Sequence, residues 1–451
     1  MNAHENPAGH PLRQWRIWLA PIAVVAVLMA VLGTMYLAYG ADPEKNLHDF
    51  PIALVNSDEG DVLAGKPARI GDQIADTLVN AIPADKVNLR VVGLNEAGLL
   101  LNQGKVYGAI IIPSDFTKRL GILAAAGVVP GDIERPTITI ETNPRIGPYA
   151  TSTMQRIANT ALTQVDAAVG GQLVGAVRDQ LGGRHSSAAT ELTGATLLTL
   201  HSPITVSVVP HRPLSAGTGQ GLSAFFYALV MVLAGFIGAM IIHTMVDASL
   251  GFTPTEYGPW YAHLPPTPIS RLRTLLYKWT IMLSVAPIVS AIFLAVAWTL
   301  DMPTPNALTL FLFGILVIVA VGITALAILA ALGTAGLLVN LVLFVVLGLP
   351  STGGTVPVEA TPKYIAWLAN FEPMRQVYVG MRATAYFDAH LDAGLSQGIW
   401  MSLLGLAIGL VLGIATTGLY DWRGLSRTKN SPTPPASDPL AQDVTLEKAM
   451  A

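Results

Sequence analysis

Two glycines and a lysine near residue 60 have the residue types of a phosphate-binding loop. In the segment IALVNSDEGDVLAGKPARIGDQIADTL, Gly60 is followed after four residues by Gly65 and Lys66. A nucleotide-binding loop requires Ser or Thr after the lysine, because that hydroxyl holds Mg²⁺. Pro67 stands there instead and offers neither a hydroxyl nor a backbone donor. We therefore interpret the match as a coincidence.

Acidic residues crowd the same turn. Asp58, Glu59 and Asp61 follow Asn56, so oxygen ligands for a divalent cation are present. Their order lacks the alternating ligands and the central glycine of a calcium-binding loop. A solvated turn is the interpretation that we favour, and we predict neither a metal nor a cofactor.

Composition and charge exclude several classes of function. Cysteine is absent, which excludes disulfides, thiolate catalysis and Cys-based metal sites. No HExxH motif and no Ser-His-Asp order stands out, so we do not expect an enzyme. The net charge is -3 and the isoelectric point is about 6.3, so there is no basic excess for nucleic acid.

Hydropathy predicts that these residues belong to a membrane protein. Of 451 residues, 52% are hydrophobic and 12% are charged, against roughly a quarter charged in soluble domains. A bilayer core takes about 20 apolar residues as helix. Six segments are apolar enough, although the fifth is short: 17–40, 222–246, 277–300, 307–332, 336–349 and 399–420. The first exceeds the apolar run of about 7 to 15 residues in a signal peptide, so we interpret it as an uncleaved anchor.

Basic residues beside the spans indicate the orientation, because Arg and Lys concentrate on the cytoplasmic side. Three basic groups fall on one side of a six-span chain. We therefore predict a multi-pass protein of the plasma or inner membrane with both termini in the cytoplasm. The groups are Arg13 and Arg16; Arg271, Arg273 and Lys278; and Arg423, Arg427 and Lys429.

This orientation divides the chain into five parts. The predicted parts are a cytoplasmic tail (1–16), the first span (17–40), an extracytoplasmic domain (41–221), spans two to six (222–420) and a disordered cytoplasmic tail (421–451). The predicted fold class is an α-helical polytopic membrane protein of six transmembrane helices, with an extracytoplasmic α/β domain between the first and second spans.

The α/β prediction rests on β-branched runs that alternate with helical patterns. Predicted strands are 50–56, 88–94, 106–113, 137–142 and 204–210, and predicted helices are 70–81, 96–102, 115–126 and 148–181. The last helix carries an apolar stripe: Met154, Ile157, Ala161, Val165, Val169, Leu173 and Val177. We expect this stripe to pack on its own domain, with pairing to a second copy or a partner as the alternative.

Polar residues in the spans are functional candidates by default. His243 and Asp247 are four residues apart at the end of the second span, so they share a helix face and could relay protons. Their position near the interface favours a hydrated helix end instead. Asn340 lies deep in the fifth span, where a contact between helices is favoured over a substrate ligand.

The segment STGGTVPVEATP breaks the helical pattern directly after the short fifth span. Non-helical backbone at that depth must be covered by protein or line a cavity. We predict that Ser351, Gly353, Gly354 and Pro357 form the outer mouth of a transport route, together with Arg382 further along the chain. The chain from Pro357 to residue 397 is expected to lie at the interface as short amphipathic helices, and an ordinary extracellular turn is the alternative.

Three segments carry a resemblance to known families. PIALVNSDEG, IGDQIADTL and GKVYGAIIIPSDFTKRL resemble the extracytoplasmic domain of the YhgE/Pip (phage infection protein) family. LGLPSTGGTVPVEATPKYIAWLANFEPMRQVYVGMR resembles the segment after the fifth span of ABC type-2 exporter permeases. LGFTPTEYGP with ISRLRTLLYKW is similar to the related nitrosoguanidine-resistance membrane protein family.

The resemblance implies a homodimeric permease in the lipid bilayer that exports drugs, lipids or envelope material. It places Asn56, Asp58 and Gly60 in an extracytoplasmic motif. It places Gly353, Gly354, Pro357 and Arg382 in the segment before the last span. The loop that carries Glu256, Arg271 and Arg273 would dock a separate ATPase subunit. No catalytic role is implied for any of these residues.

Three functions remain open at this point. The favoured one is a permease subunit of an ABC type-2-like exporter, powered by a separate ATPase. The second is a non-transporting scaffold or accessory factor of an envelope or secretion machine. The third is an ion-driven exporter, which would depend on His243 and Asp247.

Overall fold

A computed structural model describes residues 15–63, 66–126, 134–182, 194–425 and 427. Gly65 and most of the two predicted tails lie outside the described residues. The chain divides into two compact units, each discontinuous in sequence. The first unit comprises Met1–Val232, Ser290–Val317 and Leu341–Leu403, and the second comprises Leu233–Val289, Ile318–Asn340 and Leu404–Ala451.

Strands and helices alternate at first and give way to long helices. The strands are β1 (Phe50–Asn56), β2 (Asp61–Leu63), β3 (Lys66–Ala68), β4 (Val87–Val91), β5 (Gly108–Ile112), β6 (Thr137–Thr142), β7 (Thr205–Pro210), β8 (Thr255–Tyr257) and β9 (Trp260–Ala262). The helices are α1 (Trp15–Ala41), α2 (Ile70–Ala81), α3 (Leu94–Asn102), α4 (Phe116–Ala126), α5 (Pro148–Gly182), α6 (Gly194–His201), α7 (Ser223–Ser249), α8 (Arg271–Thr299), α9 (Ala307–Leu332), α10 (Ala335–Leu341), α11 (Gly348–Ser351), α12 (Lys363–Ala369), α13 (Pro373–Tyr386) and α14 (Leu395–Trp422).

Five helices of the described residues are long and apolar enough to cross a membrane. They are Leu19–Ala41 within α1, and the whole of α7, α8, α9 and α14. The fifth predicted span is a shorter apolar helix, Ala335–Ser351, which a π-helical turn interrupts at Val342–Val346. A multi-pass membrane protein is therefore supported, and the count of six spans is not confirmed.

A five-stranded mixed sheet of order β4-β1-β5-β6-β7 forms the α/β region. Strand β1 runs parallel to β4 and β5, β6 runs antiparallel to β5, and β7 runs parallel to β6. The continuous apolar run of β1 is typical of a parallel strand that is covered on both faces. In β6, buried and half-buried residues alternate, as the pleat of a strand requires.

The elements of the sheet follow the sequence prediction closely. The strands predicted at 50–56 and 137–142 and the helix predicted at 70–81 agree to the residue. The short strands β2 and β3 were not predicted. Lys66 opens β3 rather than a helix, so the glycine and lysine near residue 60 lack the geometry of a phosphate-binding loop.

The apolar stripe of α5 packs within its own unit. Helix α5 contacts α2, α6 and the sheet. Six of the seven stripe residues are buried there: Met154, Ala161, Val165, Val169, Leu173 and Val177. Ile157 is only half-buried, and the neighbouring Ala158 is buried in its place.

Asp58 joins the first turns of two helices, where backbone N–H groups have no partner within the helix. One carboxylate oxygen accepts hydrogen bonds from Gly71 N at 2.9 Å and Thr117 Oγ1 at 2.5 Å, and the other accepts from Thr117 N at 2.9 Å. The hydroxyl of Thr117 also accepts from Ile70 N at 2.9 Å. A negative carboxylate at two helix N-termini is electrostatically favourable.

The predicted solvated turn is therefore wrong at Asp58, which is only 8% exposed. A Cβ atom on Gly71 would lie 2.4 Å from the Asp58 Cβ, so this contact requires glycine. Asn56 supports the turn, because its Oδ1 accepts from Asp58 N at 3.1 Å and its Nδ2 donates to Asp72 at 2.7 Å. Gly60 adopts the left-handed conformation with φ +78°. The motif residues thus hold the turn together.

We expect Asp58→Ala to lower the free energy of unfolding by on the order of 3 kcal/mol, because three buried donors lose a charged acceptor. Asp61→Ala is the matched control, since Asp61 is exposed and accepts only from Val62 N. Thermal unfolding of the full chain in detergent measures both. Equal losses in the two variants would contradict the role of Asp58.

Candidate functional site

The candidate site is the buried segment that follows the interrupted helix Ala335–Ser351. Ser351 and Thr352 are almost fully buried. Their hydroxyls donate to the carbonyl oxygens of Leu347 at 2.6 Å and Gly348 at 2.5 Å. Such bonds to the preceding turn satisfy hydroxyls that water does not reach. The chain then runs as irregular backbone from residue 353 to residue 357.

Two glycines let this irregular backbone pass close to its neighbours. Gly353 has φ +75°, and a Cβ there would lie 2.6 Å from the Arg375 guanidinium. A Cβ on Gly354 would lie 2.3 Å from the Phe225 ring. Pro357 is buried as well. The predicted outer mouth is therefore covered by protein, which is one of the two environments that tolerate non-helical backbone beside a span.

Helix α13 is the most deeply buried element of this segment. Eleven of its 14 residues are buried, so the prediction of an amphipathic helix at the interface is wrong for α13. The Tyr386 hydroxyl hydrogen-bonds Ser223 Oγ at 2.6 Å and accepts from Ala224 N at 3.2 Å. Gly380 packs on Gly398 so closely that a Cβ on Gly398 would lie 2.9 Å from the Gly380 Cα.

Helix α12 has the two-sided burial that the prediction of a short amphipathic helix requires. It buries Ile365 and Ala369 and exposes Tyr364 and Trp367. One face of α12 therefore packs against protein, and the other face, with its aromatic side chains, is exposed. Aromatic side chains of this kind are typical of a membrane–water interface.

Arg382 lies apart from the other predicted mouth residues. Its guanidinium carbon is 5.6 Å from the Tyr378 ring centre and 5.7 Å from that of Phe387. Its Nε is buried without a hydrogen-bond partner. Arg375, not Arg382, is the arginine that stands beside Gly353, so the structure does not bring Arg382 together with the other predicted mouth residues. The two arginines are seven residues apart on α13, and sequence alone does not separate them.

A buried carboxyl group begins α13. Glu372 Oε2 accepts a hydrogen bond from Arg375 N at 3.1 Å and so caps the helix. Glu372 is 2% exposed, and its Oε1 has no hydrogen-bond partner. Burial raises the pKa of Glu372 to about 8, although the backbone N–H groups of Arg375 and Met374 act in the opposite direction. Glu372 can therefore take up and release a proton near neutral pH.

In the second unit, Asp247 is the centre of a cluster that we name the Asp247 cluster: Asp247, Lys278, His243 and Arg427. Lys278 Nζ donates to Asp247 Oδ1 at 2.6 Å and to His243 Nδ1 at 3.0 Å. His243 Nε2 lies 3.4 Å from Asp247 Oδ2, and Arg427 lies 3.0 Å from Oδ1. Asp247 and Lys278 are each 3% exposed. The prediction of a hydrated helix end is therefore wrong.

Asn340 lies fully buried in the same unit. Its Nδ2 donates to Ala325 O at 3.0 Å. A hydrogen bond from α10 to α9 is what the favoured interpretation of Asn340 requires. Asn340 Oδ1 has no partner among the described residues.

Of the three residues singled out in the predicted coupling loop, Arg271 makes contacts within the protein, and Glu256 and Arg273 are exposed. Arg271 N and Leu272 N donate to the two carboxylate oxygens of Asp421 at 2.9 and 3.0 Å, which caps α8. Arg271 Nε donates to Leu425 O at 2.7 Å, so its side chain holds α8 against the end of α14. Glu256 and Arg273 are exposed. They remain available to a partner, unlike Arg271.

Sequence reasoning missed several of these partners. Lys278 and Arg427 enter the prediction only as markers of orientation, and Glu372 was not singled out. A lysine inside an apolar span, with an acidic residue at the end of the preceding span, is the signal that could have identified the Asp247 cluster. Among the described residues, no group of three or more His, Asp or Glu could hold a metal ion.

The fold and this site define a multi-span membrane protein with a mixed α/β sheet and ionisable groups buried beside its spans. The chain belongs to the family described as "Protein of unknown function (DUF3533)", which it matches over residues 22–409. No curated protein and no solved structure matches it. The YhgE/Pip resemblance is not confirmed.

Glu372 should make stability depend on pH. The pKa of Glu372 is about 8 in the folded protein, above the ordinary value of a glutamate. At pH values between those two pKa values, the folded state binds more protons than the unfolded state. Stability should fall as pH rises from about 5 to about 8. In Glu372→Gln this fall should be smaller, as measured by thermal unfolding across that pH range. The control is Glu359→Gln, since Glu359 is only half-buried and accepts from Tyr107 OH. Identical pH profiles of wild type and Glu372→Gln would exclude the proposed protonation.

The Asp247 cluster predicts an asymmetry between two substitutions. Asp247→Asn leaves Lys278 and Arg427 facing each other without their shared carboxylate, whereas Lys278→Met leaves Asp247 paired with Arg427. We expect roughly 3–5 kcal/mol of destabilisation for Asp247→Asn, and less for Lys278→Met. Chemical unfolding in detergent measures the difference. A larger loss in Lys278→Met would show that Asp247 is not the centre of the cluster.

Proposed function

We propose that the protein is the membrane permease subunit of an exporter that moves drugs, lipids or envelope material out of the cell. The observation that carries this proposal is the interrupted helix Ala335–Ser351 with the buried irregular backbone that follows it. Interrupted helices beside buried backbone recur at the substrate routes of membrane transporters. π-Helical turns are likewise frequent at functional sites.

The polar groups along this segment support the same function. Gln376 donates to Ala369 O and Asn370 O, and it accepts from Gln397 Nε2 at 2.7 Å. This amide network ties α13 to α14, and Glu372 lies at its start. Each buried polar side chain requires hydrogen-bond partners, so an apolar segment with a purely structural role would contain fewer of them. A route for an amphiphilic substrate requires polar side chains of this kind.

The energy source in this proposal is a separate ATPase. The hairpin β8–β9, between α7 and α8, is the docking element that we assign to it. Trp260 is 77% exposed and Tyr261 is 65% exposed. Glu256 and Arg273 add an exposed charge of each sign nearby in the chain. Exposed aromatic residues with neighbouring charges are typical of protein interfaces.

An ion-driven exporter is the second candidate, and the Asp247 cluster favours it. A buried carboxylate that contacts an imidazole and an ammonium group could bind and release a proton during transport. In that case no ATPase would be needed. The cluster would then be part of the transport cycle, and the hairpin β8–β9 would have no soluble partner.

A photo-crosslinking residue at Tyr261, introduced into the full chain in native membranes, tests the choice. The proposal predicts crosslinks to a soluble ATPase chain, identified by mass spectrometry. Leu198 is the matched control, because it is 75% exposed but belongs to the sheet region. Recovery of an ATPase from both positions, or from neither, would contradict the docking role of the hairpin.

A further inference from the structure

Two adjoining cavities lie in the first unit and share lining residues. One has a volume of about 310 Å³ and the other of about 450 Å³. Arg145 and Asp388 line both cavities. Neither residue belongs to the candidate site or to the Asp247 cluster. The two cavities together form what we name the Arg145 pocket.

Two arginines and two aspartates line this pocket: Arg145, Arg212, Asp388 and Asp392. Arg145 forms no ion pair with any described residue, and its guanidinium carbon lies 5.6 Å from the Phe387 ring centre. Arg382 contacts the same ring, with its Nε buried and unpartnered. Among the described residues, Arg212 pairs with Asp388 alone, at 3.5 Å. Asp392 adds an exposed carboxylate to the rim.

Burial lowers the pKa of Arg145, and the nearby charge of Arg212 lowers it further. The two effects together exceed the opposing effect of the Asp388 carboxylate, so the nearby charges do not fully compensate for burial of this guanidinium. A bound anion would favour the charged form of the Arg145 guanidinium, because it places an opposite charge within a few ångströms.

The backbone of the pocket is strained at three residues. Arg212, Asp388 and Ala389 have φ values of +45°, +53° and +57°, which non-glycine residues rarely adopt. Strain of this kind persists where the surroundings hold a functional geometry. Here Ala389 N donates to Ala383 O at 3.0 Å, which fixes the turn that presents Asp388.

Apolar and polar side chains share the remaining walls of the pocket, and none of them lies within a candidate span. Pro303 and Pro305 lie in the connection between α8 and α9, and Ala385 belongs to α13. Leu99 and Phe387 cover the other side. A ligand there would place a charged group against the arginines and an apolar group against Leu99, Phe387 and the two prolines.

We propose that the Arg145 pocket binds the phosphate or carboxylate headgroup of an anionic amphiphile. Arg145 and Arg212 would each donate paired N–H groups to the headgroup, a geometry that guanidinium provides and ammonium does not. Asp388 pairs with Arg212 and would release it to the ligand. This binding site goes beyond the proposed export function, because binding can occur whether or not the ligand is transported.

Native mass spectrometry of the full chain in neutral detergent tests the proposal. The probes are phosphatidylglycerol and phosphatidylcholine, with inorganic phosphate as competitor. We expect phosphatidylglycerol to bind more tightly than phosphatidylcholine. Arg145→Gln should weaken phosphatidylglycerol binding about tenfold, since it removes a charge-assisted hydrogen-bonding group. Arg90→Gln is the matched control, because Arg90 is an exposed arginine on the edge strand β4.

Asp388→Asn gives an independent test with the opposite sign. It frees Arg212 from its competing carboxylate, so phosphatidylglycerol binding should become tighter in a folded variant. The proposal is overturned if Arg145→Gln binds like wild type, or if Arg90→Gln loses as much affinity. It is also overturned if Asp388→Asn weakens binding. Equal affinity for inorganic phosphate and phosphatidylglycerol would overturn the assignment to an amphiphile.

Discussion

Burial of helix α13 is the constraint on which the first unit depends. The helix lies among the ends of other helices, and it can do so only because Gly380 and Gly398 bring two backbones into contact. Its polar side chains find partners inside the unit, as the bonds of Gln376 and Tyr386 show. Each of these groups would otherwise be an unpaired polar atom, which is costly away from water. The same arrangement that packs the helix therefore places Glu372 and Arg382 in their unusual environments.

Each unit contains a buried carboxylate, and the two units stabilise it in different ways. In the first unit, Asp58 is surrounded by donors from two helix N-termini, so no cation is needed. In the second unit, Asp247 is surrounded by two cations and an imidazole. A carboxylate held by backbone donors has a fixed role in the fold. One held by titratable side chains can change its partners when a proton moves, which is why the Asp247 cluster belongs to the functional candidates and Asp58 does not.

The sequence predicts local structure in this protein better than it predicts contacts. Strand β1 and helix α2 are predicted to the residue because a continuous apolar run and a period of three to four are local signals. The burial of Asp58 is invisible locally, since its partner Thr117 lies 59 residues away. The same holds for Lys278 and Asp247, which are 31 residues apart. The short helix Ala335–Ser351 has the composition of a span, and only its length and its π-helical turn distinguish it.

The sheet region contacts a segment of the chain that is synthesised much later. His48 N donates to Glu359 O at 2.7 Å, and Tyr107 OH donates to Glu359 Oε2 at 2.6 Å. Glu359 is synthesised 252 residues after Tyr107, so the contacts between Glu359 and the sheet region form late. Until Glu359 is made, that face of the sheet region stays uncovered while α7, α8, α9 and the interrupted helix are synthesised. Contacts so distant in sequence form late and expose a nascent chain to wrong partners. Residues in the C-terminal third of the chain thus complete the folding of the sheet region. A chain truncated before Glu359 would leave this surface of the sheet region exposed to chaperones and proteases.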